Sequence, residues 1–254
     1  MGIKQTLRKI PLLRHINLGR KIENDEHYQE VRSKSIQEIN KKPSRTEILN
    51  YLLGKLKGER SYLEIGVRNP DHNYNHINAE IKYSVDPGVE YKLNPVDFKM
   101  TSDEFFEKLK KGEILSSDIK FDIIFIDGLH LAEQVEKDID NALLFLKEDG
   151  YLLLHDCNPP TEWHARENFY YMHTPAHGDW NGTTWKAFQK RRYKQGLYTC
   201  CIDTDWGVGV ISKTKQIGNP IEQTNEYYEY HVMAKDRVNQ LGLVSFDEFK
   251  KIID

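Results

Sequence analysis

The most informative pattern of apolar and polar positions runs from Phe121 to Pro160. Ile123 to Ile126 is an unbroken apolar run that stops at Asp127-Gly128. Such a run bounded by a turn signal predicts a strand buried on both faces. Apolar residues then recur at helical spacing, at Val135, Ile139, Ala142, Leu143 and Leu146, with Glu133, Glu136, Lys137 and Asp138 on the other side. This predicts an amphipathic helix closed by Asp149-Gly150. A second apolar run, Tyr151 to Leu154, ends at His155-Asp156-Cys157-Asn158 before Pro159-Pro160. Strand, helix and strand in this order predict a crossover between parallel strands.

The same patterning extends outward. Glu26 to Lys41 reads as a helix broken by Pro43. Ser44-Arg45-Thr46-Glu47 is a capping box that opens a second helix, running to about Lys57. Ser61 to Val67 and Ile81 to Val85 read as strands, and Thr101 caps a helix to about Lys111. Residues 158–182 form a long connection rich in aromatics and histidines, a length that marks a functional segment in a compact domain. A helix follows over Thr183 to Lys194. Leu197 to Ile202 and Val208 to Ile211 then read as an antiparallel hairpin at the sheet edge, and residues 221–254 read as helical.

The crossover gathers polar groups at the carboxyl ends of two parallel strands. Asp127 and His130 follow the first strand, and His155 and Asp156 follow the second. Ligands bind at that edge of open α/β sheets. Helix capping accounts for one polar residue there; two acids and two histidines exceed it.

Composition narrows the function classes. The chain has 254 residues, which suits one large α/β domain with additions. A net charge of -3 gives no general attraction to nucleic acid. No apolar run reaches membrane-spanning length. The basic start has no apolar core or cleavage site, so no secretory signal is expected. Three cysteines, two of them adjacent, make no disulfide framework and suit a reducing, cytoplasmic compartment. Residues 1–21 carry six Lys and Arg side chains and no acid. Pro11 is expected to interrupt any helix there. The segment reads as a loosely docked basic arm, with peripheral contact to an anionic membrane as the second reading. A homo-oligomer is left open.

The order of these signals, over roughly residues 60–213, resembles the class I S-adenosylmethionine-dependent methyltransferases. The pair Asp127-Gly128-Leu129-His130 and His155-Asp156 is similar to the metal-dependent sugar and small-molecule O-methyltransferases. The resemblance implies an α/β, Rossmann-like sheet, mostly parallel, with a terminal antiparallel hairpin and helices on both faces. It implies three parts: a basic arm and helices over 1–58, the methyltransferase domain over 59–214 and a helical extension over 215–254. Leu63-Glu64-Ile65-Gly66 sits where the family has its methionine-binding turn, and Gly66 lets backbone approach a ligand closely. Asp86 sits where an acid binds both ribose hydroxyls. The family pattern usually continues with further glycines; Val67, Arg68, Asn69 and Pro70 stand there instead, so Arg68 or Asn69 replaces backbone contacts to the cofactor.

The resemblance also implies the chemistry. S-adenosylmethionine is the cofactor, and Glu64, Gly66, Arg68, Asp86 and Asp127 are its candidate contacts. The acceptor is a hydroxyl of a sugar, glycan or related small molecule. Asp127 and Asp156 are the candidate ligands for Mg2+ or Mn2+, which binds vicinal hydroxyls and lowers their pKa. The third ligand is open: Cys157 is a poor match for Mg2+, and His155, Asn158 or water remain. His130, with Asp127, is the catalytic candidate. An imidazole titrates near 6.5 when unperturbed, which suits a general base. Trp180-Asn181-Gly182 suits an acceptor wall or lid. The other histidines match no standard zinc spacing. Two further readings use the same residues: a metal-dependent hydrolase, and a non-catalytic nucleotide-binding scaffold in polysaccharide assembly, which the reduced glycine motif favours. An NAD-dependent dehydrogenase is disfavoured because no G-x-G-x-x-G follows a strand.

Overall fold

A computed structural model describes residues 11–254. Three helices come first, α1 Pro11–Glu23, α2 Glu26–Asn40 and α3 Arg45–Lys55. The first two strands, β1 Ser61–Ile65 and β2 Ile81–Val85, are separated by two short 3-10 turns. There follow α4 Ser102–Lys111, β3 Phe121–Ile126, α5 Ala132–Phe145, β4 Leu146–Leu154 and α6 Thr184–Arg192. The chain ends with β5 Tyr198–Ile202, β6 Val208–Ser212, α7 Tyr230–Lys235, α8 Arg237–Leu241, β7 Leu243–Val244 and α9 Phe246–Ile253.

The seven strands lie in the order β2-β1-β3-β4-β6-β5-β7. From β2 to β4 the neighbours are parallel, and β6 pairs antiparallel with both β4 and β5. This is a mostly parallel, Rossmann-like sheet with an antiparallel hairpin, the arrangement that the resemblance implies. Alternation along β3 explains its burial. Ile124 and Ile126 join a core with Phe105, Val135, Ile139 and Trp185 from α4, α5 and α6. Ile123 and Phe125 face the opposite layer, with Leu49, Leu52 and Leu53 from α3 and Phe249 from α9. With no solvent face, the strand has no polar alternation to show.

Three expectations shift. The helix after β3 stops at Phe145 rather than at Asp149-Gly150, because Leu146 already pairs with Phe121 and begins β4. A register irregularity between Phe121 and Ile123 lets β4 extend through this acidic stretch. The hairpin is not the sheet edge: β7 adds parallel to β5 outside it. Residues 221–229 are not helical; helix begins at Tyr230. Within residues 1–21 the described part, from Pro11 on, is helical and continues to Glu23. Lys4, Arg8 and Lys9 lie outside the described residues.

The capping boxes at Ser44 and Ser245 form as their sequences indicate, with Glu47 and Glu248 returning to the cap backbone. Ser44 fixes where α3 begins and thereby where Arg45 is delivered. Among the described residues no helix is long and apolar enough to cross a membrane.

Candidate active site

The carboxyl ends of β1 and β3 meet at a cavity of about 280 Å³ whose lining includes Glu64, Gly66, Asp127, His130 and Trp180. Gly66 has φ +91°, and a Cβ there would collide with the carbonyl of Asp127 and with Gly128. Only glycine lets these two strand ends close together. The turn after β3 then carries His130 across the strand ends. The long 158–183 connection pins it: Thr183 donates its N–H to the His130 carbonyl at 2.8 Å, and the Thr183 hydroxyl accepts from the Ala132 N–H at 2.8 Å. Gly182, at φ +59°, packs directly on His130, where any Cβ would clash.

His130 stands before α5, not within it, and it faces both acids. Its Nε2 is 3.5 Å from Asp127 Oδ1, and its Nδ1 is 3.3 Å from Asp156 Oδ2. Nδ1 also lies 3.0 Å from the carbonyl oxygen of Trp180. A carbonyl only accepts, so Nδ1 keeps its proton and Nε2 is the nitrogen that titrates. The Trp180 indole stacks on the imidazole at 5.1 Å. Burial alone would depress the His130 pKa, but Asp156 and Asp127 outweigh it and push it up to about 9. The expectation of an unperturbed imidazole near 6.5 therefore does not hold for this site.

His155 binds the two acids together. Its Nδ1 is 3.0 Å from Asp156 Oδ2 and 3.1 Å from Asp127 Oδ1, and its Nε2 is 3.2 Å from Asp205 Oδ1. Burial opposes its charge, yet Asp127 and Asp156 raise its pKa well above the usual imidazole range. Asp127 responds in kind. Burial would raise its pKa, but His155, His130 and Arg45 hold it well below the ordinary carboxylate value. Asp205 likewise resists burial through His155 and Arg45 and falls to about 2. Three acids, two imidazoles and one guanidinium thus form one connected cluster. Asp156 at φ 60° and Asp205 at φ 45° sit in the left-handed region that non-glycine residues rarely adopt. Such backbone strain is held by the surrounding contacts, among them the Asn181 side-chain N–H donated to Asp156 Oδ1 at 2.8 Å.

The remaining candidates separate. Glu64 is buried, and its Oε2 accepts from the Tyr62 hydroxyl at 2.6 Å and from Asn73 at 3.0 Å. Burial dominates and raises its pKa to about 7. Arg68 is on the cavity rim, exposed, with Glu90 at 3.6 Å. Asp86 follows β2, beside the end of β1, and its Oδ1 accepts the Gly88 N–H at 2.6 Å; it does not line the cavity. Asp127, His130 and Asp156 can each offer a ligand atom to a metal ion, all within 4.8 Å of one another. Two carboxylates and an imidazole fit a divalent cation. The open third ligand is not Cys157 or Asn158. The Cys157 thiol is buried with its sulfur against Gly209, and the Asn158 amide is engaged with Asp203 and Arg237. His164 is likewise no ligand: it is buried between the Ser35 and Thr161 hydroxyls, and burial lowers its pKa to about 4.

Two members of the cluster escaped the sequence reading. Arg45 was legible only as part of a capping box, and Asp205 only as a hairpin turn. The one available signal was the position of the hairpin turn next to β4, at the same sheet edge as His155.

Residues 59–157 match a family described as a methyltransferase domain. Curated protein sequences gave no match. Solved structures similar to the chain include an O-methyltransferase from Bacillus cereus in complex with SAH, at 12% identity, TM-score 0.41, covering 75% of this chain and 92% of that one. A putative O-methyltransferase from Klebsiella pneumoniae, at 12% identity and TM-score 0.42, covers 82% and 99%. A putative caffeoyl-CoA O-methyltransferase from Staphylococcus aureus, at 13% identity and TM-score 0.42, covers 80% and 99%. Likeness at these scores is too low to add weight to the strand order. The family match spans β1 to the end of β4, and over that stretch, whose acids lie at the ligand-binding edge of the sheet, the chain is similar to a methyltransferase domain.

Proposed function

We propose that the protein methylates a hydroxyl oxygen of a sugar, glycan or related small molecule, assisted by a divalent metal held by Asp127 and Asp156. The observation that carries this reading is the convergence of His130, Asp127 and Asp156 beside the Gly66 turn. The cofactor supplies a methyl group on a sulfonium, open to in-line attack by an oxygen. The metal supplies charge that lowers the pKa of a bound hydroxyl. The protein's own part is to orient that hydroxyl and to take its proton on His130 Nε2, the nitrogen left free when Trp180 fixes Nδ1. Asp127 and Asp156 hold the proton on His130 while their charge is uncompensated; a cation bound to them lowers its pKa toward the working range of a base. Trp180 and Phe169 form an aromatic wall suited to the apolar face of a ring. Transfer of labelled methyl to a panel of hydroxylated sugars and phenols, with Mg2+ or with excess chelator, tests the reading. Transfer that depends on Mg2+ or Mn2+ and favours sugars supports it; full activity in chelator removes the metal, and preference for phenols removes the sugar.

We propose further that α1 contacts an anionic membrane surface. No side chain of this helix is buried, Leu12, Leu13, Ile16 and Leu18 are exposed, and Arg14, Arg20 and Lys21 accompany them with no acid before Glu23. Exposed apolar side chains with basic neighbours suit an interface carrying negative headgroups.

A further inference from the structure

The long connection between β4 and α6 borders the cavity on one side and water on the other. Phe169 and Gly178 line the cavity where β1 and β3 end. Between them, Tyr170 is 85% exposed, Tyr171 64% and Met172 40%. Met172 lies against the cavity rim: a Cβ on Gly178 would touch its terminal methyl at 3.4 Å. Phe169 meets Trp180 at 5.3 Å and Tyr170 at 5.9 Å, so aromatic rings run from the wall over His130 out to solvent. Three adjacent large side chains left in water at the mouth of a site mark an interaction surface.

The next residues of the connection turn to the N-terminal helices. His173, Thr174 and Pro175 share a second cavity, of about 310 Å³, with Lys21 and Ile22 of α1. Two hydrogen bonds tie the connection to α2: the Tyr28 hydroxyl donates to the His173 carbonyl at 3.3 Å, and the Trp163 indole N–H donates to His27 Nε2 at 2.7 Å. The Tyr170–Met172 segment is thereby fixed beside the end of α1, a helix with no buried side chain. The two elements adjoin, α1 offering basic and aliphatic groups and the connection offering aromatic ones. Basic and aliphatic side chains suit anionic headgroups and the acyl boundary beneath them. Tyrosine settles at the headgroup level. A soluble glycan could use the tyrosines but would leave Leu12, Leu13 and Ile16 uncovered.

We infer that the cavity mouth docks on an anionic lipid bilayer through α1 and the Tyr170–Met172 segment, so that the acceptor hydroxyl belongs to the headgroup of a membrane lipid. This rests on the methyltransferase reading and on the contact proposed for α1, and it adds the orientation of the site and the class of acceptor. The headgroup oxygen bonds to the methyl carbon as the carbon–sulfur bond of S-adenosylmethionine breaks. That electron pair stays on sulfur, giving S-adenosylhomocysteine, and the hydroxyl proton passes to His130 Nε2. The connection supplies no comparable basic charge, so α1 remains necessary for the contact.

Tyr171→Cys carrying an environment-sensitive dye reads the surface directly, since the three native cysteines are buried. With vesicles of phosphatidylglycerol and phosphatidylcholine the dye should shift to the blue and be quenched by brominated acyl chains. The same dye at Lys251→Cys should do neither. The double variant Tyr170→Ser/Tyr171→Ser should weaken vesicle co-sedimentation about tenfold, as expected for two partly buried aromatic side chains. A glucosyl diacylglycerol held in those vesicles should accept labelled methyl at a lower KM than methyl glucoside in solution. Vesicle binding without a dye response at Tyr171→Cys, or a response to soluble dextran in place of vesicles, would overturn the docking surface. Transfer to methyl glucoside alone, or to neither acceptor, would overturn the lipid headgroup. A wild-type protein that sediments with no vesicle would remove the α1 contact as well. One that binds no S-adenosylhomocysteine would remove the methyltransferase reading, a separate result.

Discussion

The imidazole of His130 lies stacked on the indole of Trp180 and donates its Nδ1 proton to the carbonyl oxygen of that same residue, 3.0 Å away. One residue of the long connection thus sets both the plane and the tautomer of the histidine. Asn181, next in sequence, holds Asp156. The connection is part of the site, and its aromatic and amide residues are occupied with positioning as well as with walling the cavity.

That arrangement predicts how the metal-free protein responds to pH. The folded His130 pKa, raised from 6.5 to about 9, means the imidazolium is stabilised by folding. This contribution is fully present below about pH 6.5 and is lost as pH rises through about 9. Histidine NMR titration should find His130 still charged at pH 7.5, and Mg2+ should lower its midpoint. Thermal stability of the wild type should fall between pH 6.5 and 9 more than that of His130→Gln. A midpoint near 6.5 without metal would contradict the electrostatic account of the cluster.

For catalysis, His130→Ala should cut the methyl-transfer rate by about 10²–10⁴-fold, the usual range for a lost general base. S-adenosylhomocysteine affinity should change little. Asp86→Ala should show the reverse pattern if Asp86 leaves Gly88 to bind the ribose, with affinity falling several-fold. Joint loss of cofactor binding and thermal stability in His130→Ala would make the histidine structural.

Much of this site was legible before the fold. Asp127 and Asp156 follow buried runs that end abruptly, and that pattern alone puts them at one sheet edge. His130 is three residues beyond Asp127, close enough for the local turn to carry it along. Arg45 and Asp205 were not legible because their roles depend on contacts across 160 positions of sequence, while each has an adequate local role as a helix start or a turn. The helix end at Phe145 was misplaced for a related reason. Asp149-Gly150 is a strong local stop signal, and strand pairing with β3 overrode it. The raised His130 pKa needed the positions of both carboxylates, which no local pattern contains.

The membrane proposal predicts co-sedimentation of the full-length protein with anionic liposomes at low salt, with release as salt rises and the screening length shortens. A protein starting at Asn24, which lacks α1, should remain in solution. Equal sedimentation of the two proteins would assign the contact elsewhere.

Titrating S-adenosylhomocysteine into 15N-labelled protein shows whether the cofactor occupies the cavity where β1 and β3 end. Saturable shifts are expected at the backbone amides of Gly66, Gly128 and Trp180, three residues of the cavity lining, while distant surface amides such as Lys251 stay unmoved. Absence of saturable shifts, or shifts confined to residues away from Gly66, Gly128 and Trp180, would contradict that placement of the cofactor.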